Sequence, residues 1–164
     1  MSEKLFDLSG RVAVVTGTSR GLGQYLGRAL ARAGADLVIT SRDPSTLKPF
    51  QQEIESLGRK ALPVALDVRE YDSIQSMVNS ALAHYGQIDI LVNNAGCNVR
   101  KPAIDVTWDD WNLVLETNLR GTFFVAQAVA RTMIPRRHGR IINIGSVTCV
   151  AGYAGLGPYG ARPA

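Results

Sequence analysis

Cysteine and histidine are nearly absent from this chain. Cys97, Cys149, His84 and His138 stand far apart over 164 residues, with no spacing that suits a zinc site. A metal centre is therefore not expected, and the two thiols read as unpaired in a reducing compartment. Long apolar runs are missing too. Nothing approaches the roughly 20 residues needed to span a bilayer. Residues 1–10 carry charges and lack the apolar centre of a secretory signal. The expectation is a cytoplasmic protein with no membrane partner. Charge is modest, a net +4 with 20% charged residues. The one basic cluster, Arg136-Arg137-His138-Gly139-Arg140, has no aromatic residues interleaved for base stacking. It reads as a solvated turn, and nucleic acid is not an expected partner.

What the chain has is alternation. Hydrophobic residues make up 46%, enough for one domain with a real core. Short β-branched runs at Arg11 to Thr16, Leu37 to Thr40, Leu62 to Leu66, Ile88 to Val92 and Arg140 to Ile144 predict strands. The lack of polar alternation suits strands covered on both faces. Pro63 marks the third strand as an edge. Between them, apolar residues recur at helical spacing: Leu22 to Ala33 closed by Gly34, Leu47 to Leu57 closed by Gly58, and Ile74 to Tyr85 closed by Gly86. Asp43-Pro44 reads as an N-cap and first helical residue, and Thr107 with Asp110 as a capping box. A separate long apolar helix is predicted over 118–133. Alternating strands and helices imply an α/β fold, a doubly wound parallel sheet.

The strongest local signal is Thr16-Gly17-Thr18-Ser19-Arg20-Gly21-Leu22-Gly23, between the first strand and first helix. Its glycines allow a tight turn and close approach to a pyrophosphate at the positive end of a helix. The spacing is G-x-x-x-G-x-G rather than the G-x-G-x-x-G fingerprint. Its position after a buried strand points to a dinucleotide; a glycine-rich loop without ligand is the alternative. The second strand ends Thr40-Ser41-Arg42, with no acid to accept from a ribose 2′-hydroxyl. Arg20 and Arg42 would instead grip a 2′-phosphate in forked geometry. NADP(H) is thus preferred, with NAD(H) left open and a solvated role as the other reading of Arg42.

This turn, Asn93-Asn94-Ala95-Gly96, Asn118, Ser146 and Tyr159 together resemble the short-chain dehydrogenase/reductase family. The resemblance covers essentially the whole chain. It implies a Rossmann-type fold with strand order 3-2-1-4-5-6-7. Residues 1–164 would supply strands one to five, order 3-2-1-4-5, as a single dinucleotide-binding domain incomplete at its C-terminus. Implied cofactor contacts are Gly17, Ser19, Arg20, Gly21, Leu22, Gly23, Arg42, Asp67, Val68, Asn94, Ala95 and Gly96. Asp67 would accept from the adenine amino group, or else simply cap a helix. Asn94, Ala95 and Gly96 would lie along the adenosine ribose, while Asn93 ties strands together.

The same resemblance implies a reaction. Tyr159 would exchange a proton with a carbonyl or hydroxyl oxygen that Ser146 also holds, while hydride moves to or from the nicotinamide. A free tyrosine is almost wholly protonated at neutral pH. The family assists it with a lysine four residues on, linked to solvent through a water held by the asparagine matching Asn118. Here that position is Pro163; Arg162 comes one residue early, about 100° around a helix. The stretch after Tyr159 reads as the family's Tyr-x-Ala-Ser-Lys with its register lost, by truncation, sequencing slip or frameshift.

The implied function is hydride transfer between NADP(H) and a secondary alcohol or ketone; the alternative is a non-catalytic nucleotide-binding fragment. The loop Cys97-Asn98-Val99-Arg100-Lys101-Pro102 is similar to sugar-acid and polyol dehydrogenases such as gluconate 5-dehydrogenases, with 3-oxoacyl carrier-protein reductases second. Arg100 and Lys101 would attract an acidic small-molecule substrate or serve as surface charge. In the family, the helix carrying Phe123, Phe124, Val125 and Val129 packs in a subunit interface. This implies a homo-oligomer for the full-length form and leaves this chain's own state open. Without further strands, the fifth would be an uncovered apolar edge.

Overall fold

Four-residue strands with every residue buried, Val12–Val15 (β1) and Ile90–Asn93 (β4), form the centre of a five-stranded sheet. The computed structural model describes residues 6–161. Asp36–Ser41 (β2), Ala61–Ala65 (β3) and Arg140–Asn143 (β5) complete the order β3-β2-β1-β4-β5, and all pairs are parallel. Val14 sits level with Val38 on one side and Leu91 on the other. Pro63 lies on edge strand β3, where its missing N–H breaks no outer ladder.

Side-chain alternation divides the core into two layers. Val12, Val14, Val38 and Leu91 face helices Tyr71–Tyr85 (α3) and Thr122–Met133 (α5), meeting Ile74, Met77, Val125 and Val129. Ala13, Val15, Leu37, Ile39 and Val92 face the other way, toward Leu22–Arg32 (α1) and Lys48–Ser56 (α2), with Phe50 and Ile54. Strands covered on both faces need apolar residues at every position, which is why their sequences show runs rather than alternation. The strand order reverses at β1 and β4, the place where open α/β sheets form a crevice.

The helix starts follow their predicted caps. Asp43 Oδ1 accepts from Ser45 N–H at 3.0 Å and opens a 3-10 turn, Pro44–Leu47, that leads into α2. Thr107 and Asp110 form the reciprocal capping box of Trp108–Leu115 (α4). The expected separate helix over 118–133 is corrected. Helical structure runs from Trp108 through Met133, because a π-helical segment, Glu116–Gly121, joins α4 to α5. One widened turn defeats a search for 3.6-residue periodicity. Beyond β5, a 3-10 turn Val147–Cys149 packs against the short Gly157–Gly160 helix (α6).

The rear rim, where the strands begin, corrects another expectation. Arg136 and His138 do not simply face solvent. They gather with Arg11 around the carboxylate of Asp89, which is 1% exposed. Arg136 Nη2 lies 2.6 Å from Asp89 Oδ1, while Val12 N–H and Gln87 Nε2 donate to Oδ2 at 3.0 and 2.8 Å. Burial pushes the Asp89 pKa up, but Arg136, the Val12 amide and Arg11 outweigh it and hold the group below the usual carboxylate range.

β5 is exposed along its length, including Ile141 and Ile142, and among the described residues it pairs with β4 alone. On α5, Phe123 is exposed while Val125 and Val129 are fully buried, so that helix has a core face and an open face. Among the described residues, no helix is long and apolar enough to cross a membrane.

Candidate functional site

The first βα turn is held by buried threonines from three directions. Thr16 Oγ accepts the N–H groups of Asn94 and Ala95, both at 2.9 Å. Asn94 Nδ2 donates back to the carbonyls of Thr16 and Gly17, at 2.9 and 3.1 Å. From β2, Thr40 Oγ accepts the Gly17 N–H at 3.2 Å and donates to Val15 O. Thr18 Oγ accepts the Thr40 N–H at 3.0 Å and donates to Thr40 O at 3.2 Å. The turn is thus bonded to both neighbouring strands before any ligand arrives. Among the described residues, no buried side-chain nitrogen or oxygen lacks a partner.

Two glycines are dictated by space. Gly17 has φ +71°, and a Cβ there would lie 2.9 Å from Ala95 Cα. A Cβ on Gly23 would collide with the Gly17 carbonyl and approach Asn94 Nδ2 to 2.8 Å. The N-cap of α1 is Gly21, so no side chain caps this helix, and its positive end faces the crevice uncovered.

A cleft of about 810 Å³ opens in front of the turn. Gly17, Ser19, Arg20, Gly21, Arg42, Asp67, Val68, Asn94, Ala95 and Gly96 all line it. Of the expected cofactor residues, Leu22 and Gly23 do not line it; they form the start of α1. Asn94 lines the cleft while its amide clamps the turn carbonyls. Asn93 donates to Asn143 Oδ1 at 3.0 Å and Thr122 O at 3.3 Å, tying β4 to β5 and α5.

Asp67 is not a helix cap. The N-cap position of α3 belongs to Glu70, with no side-chain hydrogen bond, and Asp67 turns to Arg69 instead. Asp67 Oδ1 accepts Arg69 N–H and Nε–H, both at 3.0 Å, and Oδ2 accepts from Nη2 at 2.6 Å. This fork holds the Asp67 carboxyl below its usual range despite partial burial. Arg69 also lines the cleft. Asp43, at the same rim, commits one carboxylate oxygen to Ser45 N–H and hydroxyl, at 3.0 and 2.7 Å.

The three residues expected to act on substrate sit on separate pieces of the fold. Asn118 lies buried in the π segment; its Oδ1 accepts Cys97 N–H at 2.9 Å, and its Nδ2 donates to Cys97 O at 2.8 Å. It fastens the loop after β4 from behind. Ser146 Oγ accepts from Thr148 N–H at 3.2 Å and from the Thr148 hydroxyl at 2.9 Å, which leaves the serine's own proton to donate outward. Tyr159 is half-buried on α6, which packs on the turn following Ser146. The cleft reaches Cys97 and Thr117 but does not include Asn118, Ser146 or Tyr159 in its walls. Arg162 and Pro163, on which the lysine question turns, lie outside the described residues.

Lys101 does not remain available as a substrate cation. Its Nζ sits 2.6 Å from Asp110 Oδ2, and this contact with Thr107 lowers the Asp110 pKa to about 2. Arg100 stays exposed, beside Gly155. Among the described residues, no cluster of three or more His, Cys, Asp or Glu could hold a metal.

Sequence reasoning missed the Thr16–Thr18–Thr40 bracing and Arg69. The threonines had a signal, since small hydroxyls directly flank the glycine turn and end β2. Arg69 had none, because an arginine in the loop after a strand is usually solvated.

A parallel sheet with this order, a threonine-braced glycine turn and a crevice at its front rim describe a dinucleotide-binding fold. The family model for short chain dehydrogenases matches residues 11–162, and the chain belongs to that family. It is 43% identical over 155 residues to a gluconate 5-dehydrogenase of Gluconobacter oxydans, covering 94% of this chain and 60% of that protein. It is 36% identical over 158 residues to a 3-oxoacyl-[acyl-carrier-protein] reductase of Escherichia coli, covering 96% and 64%. Among solved structures, a gluconate 5-dehydrogenase from Burkholderia cenocepacia in complex with NADP and tartrate superposes with a TM-score of 0.93. The two are 41% identical, over 98% of this chain and 63% of that one. An NAD+-bound xylitol dehydrogenase gives a TM-score of 0.90 at 31% identity, over 93% and 59%. This chain therefore spans about three fifths of the curated relatives' length.

Proposed function

We propose that this chain forms the cofactor-binding portion of an oxidoreductase that prefers NADP(H) and interconverts a secondary alcohol and a ketone. The observation that carries the reading is the pair Arg20 and Arg42 at the mouth of the cleft, beside the glycine turn and the hydroxyls of Ser41 and Thr46. The nearby acid, Asp43, is engaged by Ser45, so the rim favours a 2′-phosphate over a 2′-hydroxyl. The donor set and the uncovered end of α1 fit a pyrophosphate. The nicotinamide would supply or take up the hydride. Ser146 would donate its remaining proton to the substrate oxygen, Tyr159 would exchange a proton with that oxygen, and Asn118 would hold the Cys97 loop that floors the site.

The substrate class we favour is a sugar acid or polyol, with a 3-oxoacyl thioester as the other candidate. Exposed Arg100 beside Gly155 supports an anionic substrate, whereas Lys101 is neutralised by Asp110. Pro163 at the position expected for lysine supports the alternative that the 164-residue chain binds nucleotide but turns it over poorly. Titration of the chain with NADPH and NADH tests the first reading: NADPH is expected to bind more tightly, and equal affinities refute it. Incubation with NADPH and either ketone class is expected to show little oxidation. Robust turnover abolished by Tyr159→Phe would overturn that second expectation.

A further inference from the structure

Ser146 follows β5 in extended backbone, φ −139° and ψ 148°, and caps the 3-10 turn Val147–Cys149. A serine placed this way reaches the amide two residues on, and the Thr148 N–H donates to its Oγ at 3.2 Å. That bond does not depend on the side chain at 148. The second one does. Thr148 turns its own hydroxyl back on the same oxygen, at 2.9 Å.

The two bonds together decide what Ser146 can still do. A hydroxyl has one proton to give and two acceptor sites. Thr148 fills both acceptor sites, one with its amide and one with its side chain, and the serine's proton is what remains. The threonine is well placed to hold this arrangement. It is buried, at 9% exposure, and its β-branch restricts χ1. Its carbonyl backs onto α6: a Cβ on Gly160 would stand 3.4 Å from that oxygen, and Gly160 directly follows Tyr159. One buried residue thus meets both the serine and the helix of the tyrosine. It does not line the cleft.

We propose that Thr148 is a positioning residue whose hydroxyl fills the last acceptor site of Ser146 and makes the serine a donor only. A donor-only serine suits a carbonyl oxygen. It suits an alcohol oxygen equally, since the alcohol's own proton is then left for Tyr159. It disfavours any ligand that brings a proton to the serine. With valine at 148 the serine could accept as well as donate, and nothing would keep its proton turned to the substrate side. The use made of Ser146 rests on the alcohol–ketone reading above, whereas the hold of Thr148 on Ser146 stands apart from it.

The test is nuclear magnetic resonance on the purified chain as wild type, Thr148→Val and Thr148→Ser, with a parallel NADPH titration of each. Side-chain couplings report the χ1 populations of Ser146. Wild type is expected to show one dominant rotamer. Thr148→Val is nearly isosteric and keeps the amide bond. The ratio of that rotamer to its competitors should therefore fall about fivefold, the weight of one neutral hydrogen bond. Thr148→Ser returns the hydroxyl and should bring the ratio back to within about twofold of wild type. In wild type the Thr148 hydroxyl proton should exchange with water more slowly than that of Ser146. NADPH affinity should stay within about twofold across all three, since no wall of the cleft is altered. An unchanged ratio in Thr148→Val overturns the inference, as does an averaged Ser146 in wild type. A slower proton on Ser146 reverses the direction of donation and overturns it too. No recovery in Thr148→Ser, at a native melting midpoint, makes shape rather than the hydroxyl responsible. Weaker NADPH binding by Thr148→Val makes the residue a general support, against the proposal. If wild type binds no NADPH, the cofactor reading of the cleft fails by itself, while the Ser146 ratio still decides the role of Thr148.

Discussion

At the front rim of the sheet, the glycine turn is ordered by neutral groups. Thr16, Thr18, Thr40 and Asn94 cross-link the glycine turn with hydrogen bonds of 2.9–3.3 Å among short side chains and backbone. At the rear rim, order comes from charge. One buried carboxylate, Asp89, collects Arg11 from the start of the chain and Arg136 and His138 from the turn before β5. The difference follows from what each rim must leave free. Under the proposed function, the front rim keeps Arg20 and Arg42 for an anionic ligand, pairs only Arg69 with Asp67, and braces its glycine turn with groups that carry no net charge. The rear rim, where no ligand is proposed, uses charge to hold the starts of β1, β4 and β5 together.

The contrast makes measurable claims. Arg136→Met leaves a buried carboxylate short of its nearest cation and should destabilise the fold by about 3 kcal/mol. NADPH affinity of the folded protein should stay within about twofold, since no cleft residue is touched. A denaturant melt with a parallel nucleotide titration checks both, and markedly weaker NADPH binding by the folded variant would show that the rims are coupled. Thr40→Val removes the acceptor for the Gly17 N–H and should cost about 1–3 kcal/mol. Unlike Arg136→Met it should also weaken NADPH, because the Gly17 amide loses its side-chain anchor on β2. Arg42→Ala should cost under about 0.5 kcal/mol of stability, being exposed. Its effect should appear as about tenfold weaker NADPH binding with NADH unchanged.

The smallest effect is in pH. The Asp89 pKa is depressed in the folded state, so its stabilisation is present above the ordinary carboxylate range and is lost as pH falls through the folded value. Arg136→Met raises that folded value. Its acid unfolding should therefore begin at higher pH than in the wild type, beyond the shift that lower stability alone produces. Identical profiles after correction for stability would mean that Arg136 does not hold the carboxylate charged.

The contrast also explains what could be read from the sequence. The front rim was legible because its parts are consecutive: a strand, three glycines and a helix in thirteen-odd residues, with β2 ending in Thr40-Ser41-Arg42. The five strands and their parallel sheet followed from apolar runs and right-handed crossovers, while their order came with the family resemblance. The rear rim was not legible. Arg136 and Asp89 are 47 residues apart, and a local charge cluster carries no mark of the buried acid it will meet. Arg69 escaped for a related reason: its partner is only two residues away, but an arginine there gives no sign of folding back rather than reaching out. The continuous helix from α4 to α5 was missed because one widened turn shifts the apolar phase, and periodicity reads a phase shift as an ending.

That widened turn, Glu116–Gly121, has a consequence for how the chain tolerates change in length. Each helical residue advances about 100° around the axis. Deleting a single residue there would restore an ordinary α-helix and keep its composition almost intact. It would also swing everything downstream by more than a quarter-turn. Val125 and Val129, now fully buried, would rotate off the sheet, and exposed Phe123 would rotate away from its open face. Within the segment, Asn118 and Arg120 would lose their present aim at the Cys97 and Arg69 loops. Substitutions within these six positions can be judged one by one, but insertions and deletions cannot: the segment keeps count for the helix, and a miscount by one misaligns both of its halves.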